Sequence, residues 1–88
     1  MSDVETGVTT IITELLGVPT ERVTADATLA DDLGMKALDR AELALEIEAD
    51  FGLVVFTKPF AELRTVGEVI VYVEETLRTP FPRAEEAA

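Results

Sequence analysis

Apolar positions recur at helical spacing in three stretches of this chain. Val8, Ile11, Ile12 and Leu15 fall three and four residues apart, with Leu16 beside them. That stripe predicts a first helix over residues 4–17, with Gly17 and Pro19 as stop signals. Residues 18–36 hold no regular period and read as a long connection, of a length that is often functional. Val23, Ala30 and Leu33 are its apolar points, and Leu29 and Leu33 can pin it to a core.

Residues 37–51 predict a second helix. At roughly 100° per residue, Asp39, Glu42, Glu46 and Asp50 share one narrow arc, bordered by Lys36 and Arg40. Leu38, Ala41, Leu45 and Ile47 lie off that arc, Leu43 and Ala44 widen the apolar side, and Glu48 falls outside the acidic stripe. Gly52 suits a C-cap. Residues 53–55 are too few to separate strand from buried loop, and TKPFAEL after them suggests a short helical turn with Pro59 near its start. Thr65 caps a final helix of about residues 66–77, with Glu68 as the acid of a capping box. Its inner stripe is Val66, Val69, Ile70, Val73 and Leu77. The expected fold is all-α: a small four-helix bundle with the long first connection along its outside. One domain is expected over residues 1–78, and the proline-containing 79–88 reads as a disordered tail.

Composition narrows the function. With 88 residues and 48% apolar content, one small core is expected. The chain has no Cys and no His, and Ser2 is its only serine. Disulfides, thiolate metal sites, cysteine nucleophiles and the usual neutral-pH base are therefore missing. Asp31 and Asp32 are adjacent acids without the alternating oxygen ligands of a calcium loop, so no metal is expected. Asp39 and Glu42 lie one turn apart, but exposed acids at that spacing are usually a solvated face, and an independent enzyme is not expected. The net charge of −11 repels nucleic acid and favours basic protein surfaces. No run of eighteen apolar residues exists, and MSDVETG lacks the pattern of a secretory signal. A cytoplasmic location is the default expectation.

Residues 31–52, DDLGMKALDRAELALEIEADFG, resemble the central motif of the acyl carrier protein family. Asp32, Leu33, Gly34, Leu38, Asp39, Glu42, Leu43, Phe51 and Gly52 match it. ITELLGV with VTADATLADDLG is similar to the family's first helix and loop, and LRTVGEVIVYVEE to its last helix. The resemblance covers roughly residues 4–77 and implies the family's four-helix bundle. It also implies that the second helix presents acids to basic patches on partner enzymes. The family's Asp-Ser pair reads Lys36-Ala37 here. The serine carries phosphopantetheine through a phosphodiester, and alanine has no oxygen to make one. No cofactor is therefore expected on the chain as it stands; serine at position 37 would restore the expectation of phosphopantetheine. Ser2 and Thr28 lack the motif's context.

Other departures surround that point. Lys36 reverses a charge, Ala49 replaces a frequent acid, and Arg40 adds a positive charge. Phe56, Thr57, Lys58 and Pro59 stand where the family often has a proline followed by acids. The resemblance implies a module of fatty-acid or polyketide biosynthesis that docks without an arm. Its expected partners are synthase enzymes such as a ketosynthase, or related acyl-handling proteins. The expected contact residues are Asp39, Glu42, Glu46 and Glu48, with Lys36 and Arg40 setting partner choice. Asp39→Lys with Glu42→Lys is expected to weaken docking and leave the fold intact. An ordinary carrier whose serine was changed to alanine is the first alternative, and Lys36 weighs against it. A small lipid-binding bundle is the second, since the second helix is apolar over more than half its circumference.

Overall fold

The computed structural model describes residues 3–78. The helices are α1 (Asp3–Leu16), α2 (Ala37–Phe51), α3 (Thr57–Ala61) and α4 (Val66–Arg78), and a 3-10 turn spans Thr20–Arg22. The described residues contain no strand, so the fold is the expected all-α bundle. The tail expected over 79–88, and Ser2, lie outside the described residues.

The α1 stripe becomes the centre of the molecule. Val8, Ile11 and Ile12 are buried, and α1 packs against both α2 and α4. From α2 come Leu43 and Ile47, and from α4 Val66, Val69, Ile70 and Val73. Full burial of such side chains contributes roughly 1.5–3 kcal/mol each. Gly7 permits a close approach inside this packing: a Cβ there would lie 2.6 Å from Cζ of Phe51. The aromatic ring closing α2 thus rests on the backbone of α1.

Both predicted caps form. Gly52 takes the left-handed conformation at φ 66° and donates its N–H to the Glu48 carbonyl. At the start of α4, Thr65 Oγ1 accepts from the Glu68 N–H at 3.1 Å, and Glu68 Oε1 accepts from the N–H groups of Arg64 and Thr65.

Four sequence expectations are corrected. The long connection is more than an external strap: Val23, Ala27, Leu29, Leu33 and Met35 are buried in the core. It also pairs with the entry to α4, where the Leu29 N–H donates to the Arg64 carbonyl and the Val66 N–H to the Ala27 carbonyl. Ala30, read as one of its apolar points, is exposed, and Ala27 takes the inward place. Leu77 is 39% exposed at the end of α4, where the helix runs past the core, and so leaves the inner stripe. On α2, Leu38 and Leu45 are exposed at 72% and 65%. They stand across the helical wheel from buried Ile47, so helix geometry turns them outward once Ile47 faces α1.

Candidate docking surface on the second helix

The loop before α2 is built to deliver the chain at a fixed angle. Thr28 and Asp32 bond reciprocally: the Thr28 N–H donates to Asp32 Oδ2 at 2.8 Å, and the Asp32 N–H donates to Thr28 Oγ1 at 2.9 Å. Arg22 Nη2 donates to the Asp32 carbonyl at 3.1 Å. Gly34 turns at φ 71°, a conformation that glycine adopts without a Cβ penalty. The Met35 N–H then donates to the Leu29 carbonyl, and buried Met35 anchors the last step before the helix.

Lys36 is the extended N-cap residue of α2, and its N–H donates to Asp39 Oδ2 at 3.0 Å. This is the acid half of a capping box; a lysine ammonium has no acceptor to supply the other half. Asp39 is therefore half-buried and engaged, with its negative charge at the positive end of the helix. Ala37 is the first residue of α2 and is exposed. No residue of α2 carries a hydroxyl, so this helix offers no oxygen to which a phosphodiester could be attached.

Six residues were expected to meet a partner, and their placements differ. The side chains of Glu42 and Glu46 are exposed and make no hydrogen bond or ion pair among the described residues. The Lys36 side chain is exposed and makes no capping bond. Asp39 caps the helix. Arg40 turns toward α3, where Nη1 donates to the Phe60 carbonyl at 3.1 Å and to the Leu63 carbonyl at 2.7 Å. A cation at these late carbonyls also suits the end of a helix. Glu48 Oε2 accepts from the Val55 N–H at 2.9 Å, tying down the segment that precedes α3.

Arg40 and Glu48 thus hold the two ends of the α3 region against one side of α2. Between them lies an open groove of about 600 Å³, floored by Ala37, Ala41, Ala44, Leu45, Val55 and Phe60. Leu45 belongs both to this groove and to the outward-facing side of α2. The other side of α3 is fixed by Tyr72, whose hydroxyl accepts from the Phe56 N–H and whose ring meets Phe60 edge-on at 5.7 Å. Sequence reading missed these outward leucines as surface features. The signal was present in their opposition to Ile47 on the wheel.

Among the described residues, no group of three or more potential ligands is placed to hold a metal ion. No helix among the described residues is long and apolar enough to cross a membrane.

Comparison with known proteins gives the class of this fold. Residues 6–73 match the family described as the phosphopantetheine attachment site. An acyl carrier protein of Thermotoga maritima is 40% identical over 70 residues, which are 80% of this chain and 86% of that protein. A solved structure from Mycobacterium tuberculosis, assigned as an acyl carrier protein, superposes with a TM-score of 0.73 at 26% identity, covering 89% of this chain and 99% of that one. The chain belongs to the acyl carrier protein family. Members of that family are carriers rather than enzymes, and they work with acyl-handling biosynthetic enzymes.

Proposed function

We propose that this chain is a pseudo-carrier: one carrier-type domain, over residues 1–78, that docks onto partners of fatty-acid or polyketide biosynthesis without an arm. The observation that carries the reading is Ala37, an exposed methyl at the first position of a helix that has no hydroxyl. Its place directly before Leu38 and Asp39 matches the family's attachment position. The family's group does not fit there, because the phosphodiester requires an oxygen. Lys36 supports natural divergence over a single disabling change, since it reverses charge beside that point and adds nothing to the loss already caused by alanine.

Docking uses the exposed acids. Glu42 and Glu46 present negative charge on a chain of net charge −11, which speeds encounter with a basic surface. Lys36 tunes partner choice from the start of the same helix. Arg40 and Glu48 contribute by shaping the surface, because their charged groups already hold the α3 region. The partner class is synthase enzymes such as a ketosynthase.

The test is binding of the unmodified chain to purified ketosynthases by surface plasmon resonance. Saturable binding is expected, with association slowed by Glu42→Lys combined with Glu46→Lys. Binding that is indifferent to that charge reversal would remove the second helix from the interface.

A further inference from the structure

A second open groove, of about 530 Å³, lies between the first connection and α4. It takes no residue from α2 and shares no lining residue with the groove between α2 and α3. Its apolar part is Leu63, Val71 and the Tyr72 ring. Val71 is 49% exposed, on a helix whose Val66, Val69 and Val73 are buried. Three acids line the groove: Asp26 from the connection, Glu68 from the first turn of α4, and Glu75 further along that helix. Two of them are held in place. The Ala25 carbonyl accepts from the Gly67 N–H at 2.9 Å and the Ala27 carbonyl from the Val66 N–H at 3.0 Å, which clamps the backbone of Asp26 between them. Gly67 allows this approach, since a Cβ there would lie 3.1 Å from the Ala25 oxygen. Glu68 Oε1 is fixed by the Arg64 and Thr65 N–H groups. The side chains of Asp26 and Glu75 are exposed and make no hydrogen bond or ion pair among the described residues. The groove is thus preformed, and an occupant costs little ordering of this chain.

We infer that this groove receives an arginine side chain from a protein partner. The aliphatic stem lies on Leu63 and Val71, and the guanidinium sits among Asp26, Glu68 and Glu75. The inference goes beyond the arm-less reading and does not rest on it, because neither Ala37 nor any other residue of α2 takes part. A protein seated here leaves the groove beside α2 open, so the domain can hold two partners at once. Charge and spacing choose the occupant. An anionic ligand would meet three acids on a chain of net charge −11. A bare divalent ion needs its oxygen ligands gathered around one point, and the described residues hold no such group of three. A guanidinium is broad and planar, spans separate carboxylates with its five donors, and packs against an aromatic ring such as that of Tyr72. A lysine ammonium is a compact, strongly hydrated point charge and matches spread acids less well. A second copy would bring more acids to these.

The probe is a short peptide, blocked at both ends, with one arginine between leucines, titrated into the full chain labelled with nitrogen-15. Saturable amide shifts are expected at Asp26, Gly67, Val71 and Glu75. Citrulline in place of the arginine keeps its shape without its charge and should weaken binding about tenfold. Asp26→Asn combined with Glu75→Gln should weaken the arginine peptide by a similar factor. Both positions are exposed, so the fold should persist, and the dispersion of the amide spectrum checks this. Glu14→Gln combined with Asp31→Asn removes the same charge from exposed positions outside the groove. At physiological salt that pair should leave the affinity within about twofold, because distant exposed charges are screened. Equal losses in the two double variants, or a lysine peptide that binds as tightly, would overturn the inference in favour of charge alone. Shifts confined to α2 would overturn it in favour of the other groove. Self-association that disappears in the Asp26 and Glu75 variant would overturn it in favour of a second copy.

Discussion

Single residues on α2 divide by what their side chains already hold. Arg40 is the clearest case. Removing its guanidinium in Arg40→Ala takes the Nη1 donor from the Phe60 and Leu63 carbonyls, of which the Phe60 carbonyl keeps the Leu63 N–H. The expected cost is about 1–3 kcal/mol in urea denaturation, with Arg40→Lys recovering part of it through a single ammonium. Asp39→Ala removes the acceptor of the Lys36 N–H and should cost about 1 kcal/mol by the same measurement. This changes the double reversal expected from sequence. Asp39→Lys would weaken the helix as well as any docking, so Glu42 and Glu46 are the residues for a clean charge test. The departure of Lys36-Ala37 from the family's pair is a reading of the motif that belongs to the proposed function. That α2 carries no hydroxyl was legible in the sequence, because it depends only on residue type. The engagement of Arg40 and Glu48 was not. It depends on where α3 and its flanking loop bring backbone groups, and side-chain periodicity holds no record of that.

At the scale of elements, the helices were readable wherever one apolar stripe met one core. That holds for α1 and α4, and for the caps at Gly52 and Thr65, whose chemistry is local. The second helix has two apolar sides. Leu43 and Ile47 face the core, while Leu38 and Leu45 face outward. Merging them gives a helix with one broad apolar side, and only packing against α1 separates them. The long connection was underread for a related reason. Its buried residues, Val23, Ala27, Leu29, Leu33 and Met35, follow neither the helical nor the strand period, and its pairing with the entry to α4 joins distant parts of the chain. Thermal and urea unfolding of leucine variants should make the division on α2 visible. Leu43→Ala is expected to cost about 2–5 kcal/mol, as a large buried side chain leaving a cavity. Leu45→Gln is expected to change stability by no more than about 0.5 kcal/mol, as a surface substitution. A large loss for Leu45→Gln would mean that this leucine belongs to the core.

Across the whole molecule, a net charge of −11 acts on stability as well as association. Like charges on a small bundle repel, and added salt screens them over a Debye length of about 10 Å at 0.1 M. The melting temperature should therefore rise between low and moderate sodium chloride, while association with a basic partner slows over the same range. A melting temperature unmoved by salt would show that the surface acids are already compensated. The molecule joins a carrier fold to a second helix that has no hydroxyl. Steering acids, an apolar groove and two struts remain, and the proposed reading gives each of these a part in docking. The claim on which this account stands is the absence of an arm. The direct test is the intact mass of the full chain after incubation with a broad-specificity phosphopantetheinyl transferase and coenzyme A. The account expects an unchanged mass, with Lys36→Asp combined with Ala37→Ser gaining the arm in the same reaction as a control on the fold. A gain of mass by the unaltered chain would contradict it and send the search to another hydroxyl, beginning with Ser2 and Thr28.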